Sequence, residues 1–376
     1  MTALRIVLTV LAVVLVVATA LPLFRSSEWW VRMFDFPRMQ IAVVAVIVLA
    51  LYAAFDVWLG EPTKWEWALL VALAAATAYQ VVRMVPYTPI YPVQTLEADP
   101  ALADASRRFR FVVSNVLMEN RQGDRWLRVM READPDVIAA VETDAWWAET
   151  AQALADEYPH HVEVPQDDTY GMLVYSKLPL LETEVRHLVE QEVPSLFLTV
   201  ELRSGEPVSL VVLHPRPPRP DIQQDSELRD AELVLAGRDV AQRDGPVVVG
   251  GDLNDVAWSH TTSLFQELSG LLDPRVGRGT FSTFHADHWW LRYPLDHVFH
   301  SDHFALRELR RLDHVGGDHF PILIELEINP AVQPLQETPE AEREDLEEGR
   351  ELVEEAEQMK AEETPEEHRQ RVREDQ

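Results

Sequence analysis

The residues of this chain best suited to chemistry stand beside apolar runs with strand character. Asn115 closes RFVVSN, Glu142 closes DVIAAVE, His214 closes SLVVLH, and Asp252 and Asn254 close PVVVGGDLN. Asp296 opens DHVF, while Asp318 and His319 stand just before PILIEL. Singly, each has a plain explanation as a turn cap, a helix cap or a solvated strand end. Together they mix carboxylates for a metal ion, imidazoles for proton transfer and amides for phosphoryl oxygens, the composition that hydrolysis of a phosphate ester requires.

Composition narrows the chemistry. The chain has 376 residues and no cysteine, which removes disulfides, thiolate zinc sites and a cysteine nucleophile. Carboxylate, amide and imidazole ligands suit magnesium, manganese or calcium. The formal net charge is -30. An acidic field slows encounter with polyanions and argues against nonspecific nucleic-acid binding.

Elements must hold these residues at strand ends. Between about 107 and 327, β-type runs recur (FRFVVSNVL, DVIAAVE, GMLVYS, LFLTVEL, VSLVVLH, PVVVGGDL, LDHVFHS, ILIEL) with helical patterns at DRWLRVMREA, AWWAETAQALADEY and DSELRDAELVLAGRDVAQRD. Only some strands are separated by helices, which predicts sheets packed face to face with helices outside. This catalytic unit is expected over 105–330.

The first 86 residues read as a membrane anchor with three transmembrane helices: 6–24, an uncharged run of 19 residues, then 39–59 and a weaker 67–86. A cleaved signal peptide explains the first run less well, because further spans follow it. Trp58, Trp65 and Trp67 sit where interfacial anchors belong. The loop SSEWWVRMFDFPRMQ mixes Trp29, Trp30, Phe34 and Phe36 with Arg25, Arg32 and Arg38, and is expected in the headgroup layer. Residues 87–104, with three prolines, read as an extended linker. Residues 331–376 hold 17 acidic against 6 basic residues and predict a solvated, disordered tail, dispensable for catalysis, although Leu346, Leu352, Val353, Ala356 and Met359 could line one side of a helix.

The motifs SNV at 114–116, VE at 141–142, GMLVYSKLPL, LHPRPP, GGDLND, PLDHVF and GDHFPI occur in the order seen in the endonuclease/exonuclease/phosphatase superfamily, and over about three-fifths of its length the chain resembles a membrane-anchored member. The resemblance implies a four-layer α/β sandwich of two packed mixed β-sheets flanked by helices. It implies that Glu142 with Asn115 holds Mg2+ or Mn2+, that Asp252 polarises the attacking water, and that Asn254 faces the phosphate. His319, oriented by Asp318, and His214 would flank the scissile phosphate, and Asp296 would orient an imidazole or assist the metal. Gly317 departs from the Ser that many relatives carry.

The expected function is that of a phosphoesterase acting on a phosphate ester or pyrophosphate at a bilayer, membrane lipids included. Its partners would be the lipid bilayer and a phosphorylated, lipid-linked substrate, with nucleic acid less favoured. The alternatives are a metal-dependent nuclease and a non-catalytic membrane scaffold whose acidic tail recruits partners. The site would be the cell membrane, multi-pass. The arginine count weakly places the catalytic domain in the cytoplasm, whereas the missing cysteines and the lipid role place it outside, and the balance is extracytoplasmic. His160, His161, His285, Asp287 and His288 invite a second metal site, Trp289 and Trp290 a lipid groove, a membrane contact or plain core packing, and Lys177 a surface charge.

Overall fold

The computed structural model describes residues 3–59, 62–218 and 225–362. Helices α1 (Ala3–Ala20), α2 (Trp29–Arg32), α3 (Arg38–Leu59) and α4 (Lys64–Met84) come first. There follow β1 (Arg108–Asn115), α5 (Gly123–Ala133), β2 (Val137–Val141), α6 (Ala145–Ala151), β3 (His160–Val164), β4 (Met172–Ser176), β5 (Leu180–Arg186), β6 (Ser195–Glu201) and β7 (Pro207–Leu213). The chain continues through α7 (Glu227–Val240), β8 (Val247–Asp252), α8 (His260–Ser269), β9 (Asp296–His300), β10 (Phe304–Arg311), β11 (Ile322–Ile328) and α9 (Arg343–Glu362).

The strands form two sheets, in orders β10-β11-β1-β2-β4-β3 and β5-β6-β7-β8-β9. Both are mixed: β1 runs parallel to β2 and β7 parallel to β8, and the other pairs are antiparallel. Alternation along each strand sends Phe111, Val113, Val174, Leu198, Leu210 and Val248 into one apolar layer between the sheets. The outer face of the first sheet packs on α5 and α6 through Trp126, Met130 and Trp147, and that of the second on α7 and α8 through Leu233, Ala236 and Phe265. Helices, sheet, sheet and helices therefore stack as four layers. Gly250 lies where Phe111 of the facing sheet comes close, since a Cβ there would stand 2.5 Å from Phe111 Cε1.

Helices α1, α3 and α4 form an up-down-up bundle around Leu8, Ala12, Ala45, Val48 and Leu73. Arg5 pairs with Glu66 at 2.5 Å at one end, and Gln80 binds Thr19 and Arg38 at the other. The expectation of three spans needs correction. Two helices, Ala3–Phe24 and Lys64–Tyr87, are long and apolar enough to cross a membrane, with mean hydropathies of 2.8 and 1.7; the described apolar run of the third ends at Ala54. Crossing takes about 20 apolar residues, and that run alone is too short. The side chain of Trp58 lies outside the described residues.

Residues 87–104, expected as an extended linker, are tied to the catalytic unit: Tyr87 donates to the Ala257 carbonyl at 2.5 Å, and Leu96 and Ala98 bond the backbone of Leu306 along the edge of β10. One other expectation gives way. The tail is helical over Arg343–Glu362. Ala356 is buried against Leu228 and Ala231, with Val353 beside it, while Leu352 covers Leu264 and Leu268. Small or apolar residues at 349, 352, 353 and 356 give the helix one narrow apolar stripe, which suffices once α7 and α8 supply the other half. Leu346 and Met359 remain exposed. Residues 363–376 lie outside the described residues.

Candidate active site

Strand ends place the site. Asn115 ends β1, Glu142 follows β2, His214 follows β7, Asp252 ends β8 and Asp296 begins β9, so one edge of the sandwich collects side chains from both sheets. Antiparallel pairing sets Asp252 directly opposite Asp296. Before Asp252, Gly251 has φ +154, and a Cβ there would meet the Leu213 carbonyl oxygen at 1.8 Å. Only glycine permits this crossing, which turns the following Asp inward. Glu142 and Asn254 both adopt left-handed backbone, at φ 59 and 51.

The contacts are dense. Asn115 Nδ2 donates to Glu142 Oε1 at 2.6 Å and to Asp252 Oδ2 at 3.0 Å, and its oxygen accepts from Leu117 N at 2.9 Å. Asn115 thus clamps two carboxylates side by side. The Asn254 N–H donates to Asp252 Oδ1 at 2.9 Å, and its Nδ2 donates to the Pro215 carbonyl at 3.0 Å. His214 Nε2 stands 4.0 Å from Glu142 Oε1. His319 Nε2 stands 3.6 Å from Asp252 Oδ2, and its Nδ1 is bonded to Asp296 Oδ2 at 2.7 Å.

The last contact corrects one expectation. Asp296, not the adjacent Asp318, holds His319. Asp318 instead lines the pocket, and its buried Oδ1 has no partner among the described residues. Neighbours in sequence across a turn need not face each other, whereas β9 brings Asp296 beneath the imidazole.

Electrostatics separate the two imidazoles. Burial lowers His214 to about 4, so it is neutral at physiological pH. Burial would lower His319 as well, but the carboxylates of Asp296 and Asp252 outweigh it and raise it to about 10. Burial also raises Glu142 to about 8, against the Asn115 amide and His319, and raises Asp296. Three carboxylates converge on one imidazolium, and Asp296 Oδ1 is buried without a partner among the described residues. Such a site is short of positive charge. Glu142, His214 and Asp252 offer ligand atoms within 4.8 Å of one another, as do Asp252, Asp296 and His319. These oxygen-rich donors fit a hard divalent cation.

Above this floor lies a pocket of ≈ 500 Å3 to which Glu142, Asn254, Asp318 and His319 are exposed. Asn115, His214, Asp252 and Asp296 are buried beneath it. Much of the opposite wall comes from the N-terminal region, through Trp29, Met33 and Phe36. That contribution was not visible in the sequence, because nothing local ties residue 33 to residue 319.

The segment bearing this wall is bolted to the catalytic unit. Buried Arg32 pairs with Asp230 at 2.9 Å and with Asp35 at 3.6 Å, and Asp35 pairs with Arg38 at 2.5 Å. Arg229 bonds Asp230 at 2.7 Å, stands 3.4 Å from Asp255 and donates to the Asn254 carbonyl at 2.8 Å. Trp258 Nε1 donates to the Asp35 carbonyl at 2.7 Å. Arg32 and Arg38 therefore face acids of the protein and not headgroups; only their i, i+3 spacing with Asp35 hinted at it. Trp30, Met33 and Met39 are the exposed large hydrophobic residues of this stretch.

Among the described residues, no second metal cluster forms at His160, His161, His285 or His288. Trp289 and Trp290 are exposed, which excludes core packing. Lys177 is a surface charge paired with Asp134.

Two mixed sheets bearing carboxylates, amides and imidazoles at one edge define a metal-dependent phosphoesterase. The family model described as Endonuclease/Exonuclease/phosphatase family matches residues 112–319, more than half of the chain, and the protein belongs to that family. Solved structures similar to it include an endonuclease/exonuclease/phosphatase from Beutenbergia cavernae (20% identity, 59% of this chain and 72% of that one, TM-score 0.48). They also include D. rerio TDP2 complexed with a single-strand DNA product (16%, 60% and 100%, 0.49) and the human Nocturnin catalytic domain (16%, 60% and 97%, 0.49). No curated protein matches. The chain is thus an enzyme that hydrolyses phosphate ester bonds with a divalent metal.

Proposed function

We propose that this enzyme is anchored in the cell membrane and hydrolyses a phosphate ester or pyrophosphate presented at the bilayer, using Mg2+ or Mn2+. The observation that carries this reading is the position of the pocket, with reactive groups on its floor and the segment between two apolar helices as its wall. The helical bundle supports anchoring. Val7, Val10, Val14, Val44, Ile47, Val71 and Val82 all point outward, an apolar surface that a lipid environment satisfies.

Glu142 would hold the ion, with Asn115 and Asp252 beside it. Once bound, the ion neutralises charge on the non-bridging phosphoryl oxygens. Asp252 orients the attacking water and takes its proton. Protonated His319, held by Asp296 at Nδ1, presents Nε2–H to the leaving oxygen. Neutral His214 and the Asn254 amide would bond phosphoryl oxygens. In this reading the catalytic domain faces the extracytoplasmic side, which the lipid role and the missing cysteines support and the weak arginine count opposes.

The test is turnover by the full chain in detergent or bilayer discs with Mg2+ or Mn2+, comparing an alkyl phosphate, an alkyl pyrophosphate, a phospholipid and plasmid DNA. Hydrolysis of a lipid-like ester with no DNA cleavage is expected. Exclusive cleavage of DNA would establish a nuclease instead, and no turnover at all a scaffold. A reporter fused after Asp104 that is active only in the cytoplasm would reverse the sidedness.

A further inference from the structure

From the wall of the active-site pocket we infer that the enzyme has a built subsite for a single apolar chain attached to the phosphate, and that the anchor segment supplies half of it. The inference rests on the phosphoesterase reading above and names its substrate class: an amphiphile bearing a phosphate at one end of an alkyl or prenyl chain.

The pocket is two-faced. Glu142, Asn254, Asp318 and His319 occupy its polar end. The rest is lined by Trp29, Met33 and Phe36 from the anchor, by Phe284, Tyr293 and Leu295 from the loop leading into β9, and by Pro217 and Pro218 after β7. No lysine or arginine is among the described residues that line it. A polynucleotide carries a charge on every residue and calls for basic walls; the described wall offers none.

The two apolar halves are held in register. Phe36 packs edge-on against Tyr293 with ring centroids 5.7 Å apart. Phe284 lies 5.0 Å from the His319 ring, so the apolar lining reaches the reacting centre. Trp29 and Met33 stand four residues apart on one side of the α2 turn, facing the pocket together. Behind them, Arg32 and its buried acids fix the wall in place.

The open side points to the same occupant. Met33, which lines the pocket, is 46% exposed, and Trp30 and Met39 beside it are also exposed. Trp290 is 56% exposed, and its carbonyl accepts from Gln40 Nε2 at 2.9 Å, which brings the Trp289–Trp290 loop to the head of α3. Tryptophans at the end of an apolar helix mark a membrane–water boundary. A pocket opening there receives its ligand from the bilayer, chain and all.

The test uses the full chain with Mg2+ and alkyl phosphates from butyl to decyl, kept monomeric so that partition into micelles plays no part. Calorimetric binding of the matching alkyl phosphonates runs in parallel. For the wild type, kcat/KM and affinity should rise roughly twofold to fourfold per methylene. Met33→Asp should abolish most of that rise, while Met33→Leu keeps it; Trp29→Ala serves if the aspartate variant fails to fold. Flat chain-length dependence in turnover and binding, with butyl phosphate still hydrolysed, would overturn the subsite and leave the phosphoesterase standing. A steep dependence unchanged in folded Met33→Asp and Trp29→Ala would overturn its location. If no alkyl phosphate is hydrolysed while DNA is, both readings fail.

Discussion

Replacing Asp296 by Asn should move the alkaline limb of the pH–rate profile more than any other single change. Asp296 is fully buried and bonds His319 Nδ1 at 2.7 Å. A hydrogen bond to a charged group is worth roughly 1.5–3 kcal/mol, and 1.36 kcal/mol corresponds to one pKa unit. Losing the charge while keeping an acceptor should therefore bring His319 down by about 1–2 units from about 10. In the wild type, activity that needs the imidazolium persists to the edge of that value; in Asp296→Asn it should fade near pH 8–9. An added loss of ~10²-fold in kcat, present even at pH 7, should reflect looser aim of Nε2. The assay is kcat against pH from 6 to 10 at saturating Mg2+, with the fold checked by thermal melting. Asp318→Asn is the control, since Asp318 does not bond the imidazole, and its limb should shift less. An Asp296→Asn profile whose limb stays in place, with kcat within threefold throughout, would refute His319 as the proton donor.

Other consequences are equally accessible. Glu142→Gln should cut activity steeply and regain part of it at high metal concentration; a loss that metal leaves untouched would remove Glu142 from the ion. Arg32→Ala leaves Asp230 and Asp255 sharing Arg229 in a buried site, and should cost about 3–5 kcal/mol in denaturant unfolding of the full chain; a change under about 1 kcal/mol would show the network to be ornamental. Truncation after Ile328 strips Val234, Leu264 and Leu268 of their cover and should lower the melting temperature, whereas an unchanged melt would return the tail to the dispensable role its composition suggests. Glu232, bonded by Ser195 at 2.9 Å, is raised by burial to about 8. The folded state then holds a proton that the unfolded chain releases near 4.5, so stability should fall as pH rises from about 5 to 8. Glu232→Gln should flatten that slope, and identical slopes would place the burial elsewhere.

What the sequence disclosed follows burial. The eight strands with apolar runs were legible, and the three that were not, β3, β5 and β10, are all sheet edges. β5 is exposed over its five central residues, and LLETEVR carries no apolar run to read. The helix α9 failed for a related reason: its stripe has meaning only against α7 and α8. At the site, the residues flanking strands were identifiable because each strand end announces one position. Their pairing was legible only in part: Asp296 was expected to orient an imidazole or assist the metal, but which imidazole was not evident. His319 was matched to its neighbour Asp318, although the contact comes from Asp296, 23 residues away. Trp29, Met33 and Phe36 were read as interfacial, and nothing in the linear chain says that they also close a pocket some 250 residues downstream.

The buried pairing of Arg32 with Asp230 also sets how far the enzyme can reach. A catalytic head on a loose arm sweeps a volume and samples substrates at many distances from its mooring. Here the head sits directly on the bundle and has no arm. On the anchoring proposed above, its working height over the bilayer would be fixed to within a side chain, and encounters would become a matter of lateral diffusion in two dimensions. An ester bond set too deep, or carried too far out on a bulky sugar or a protein, would pass by uncut, and altitude would join chemistry as a criterion of selection.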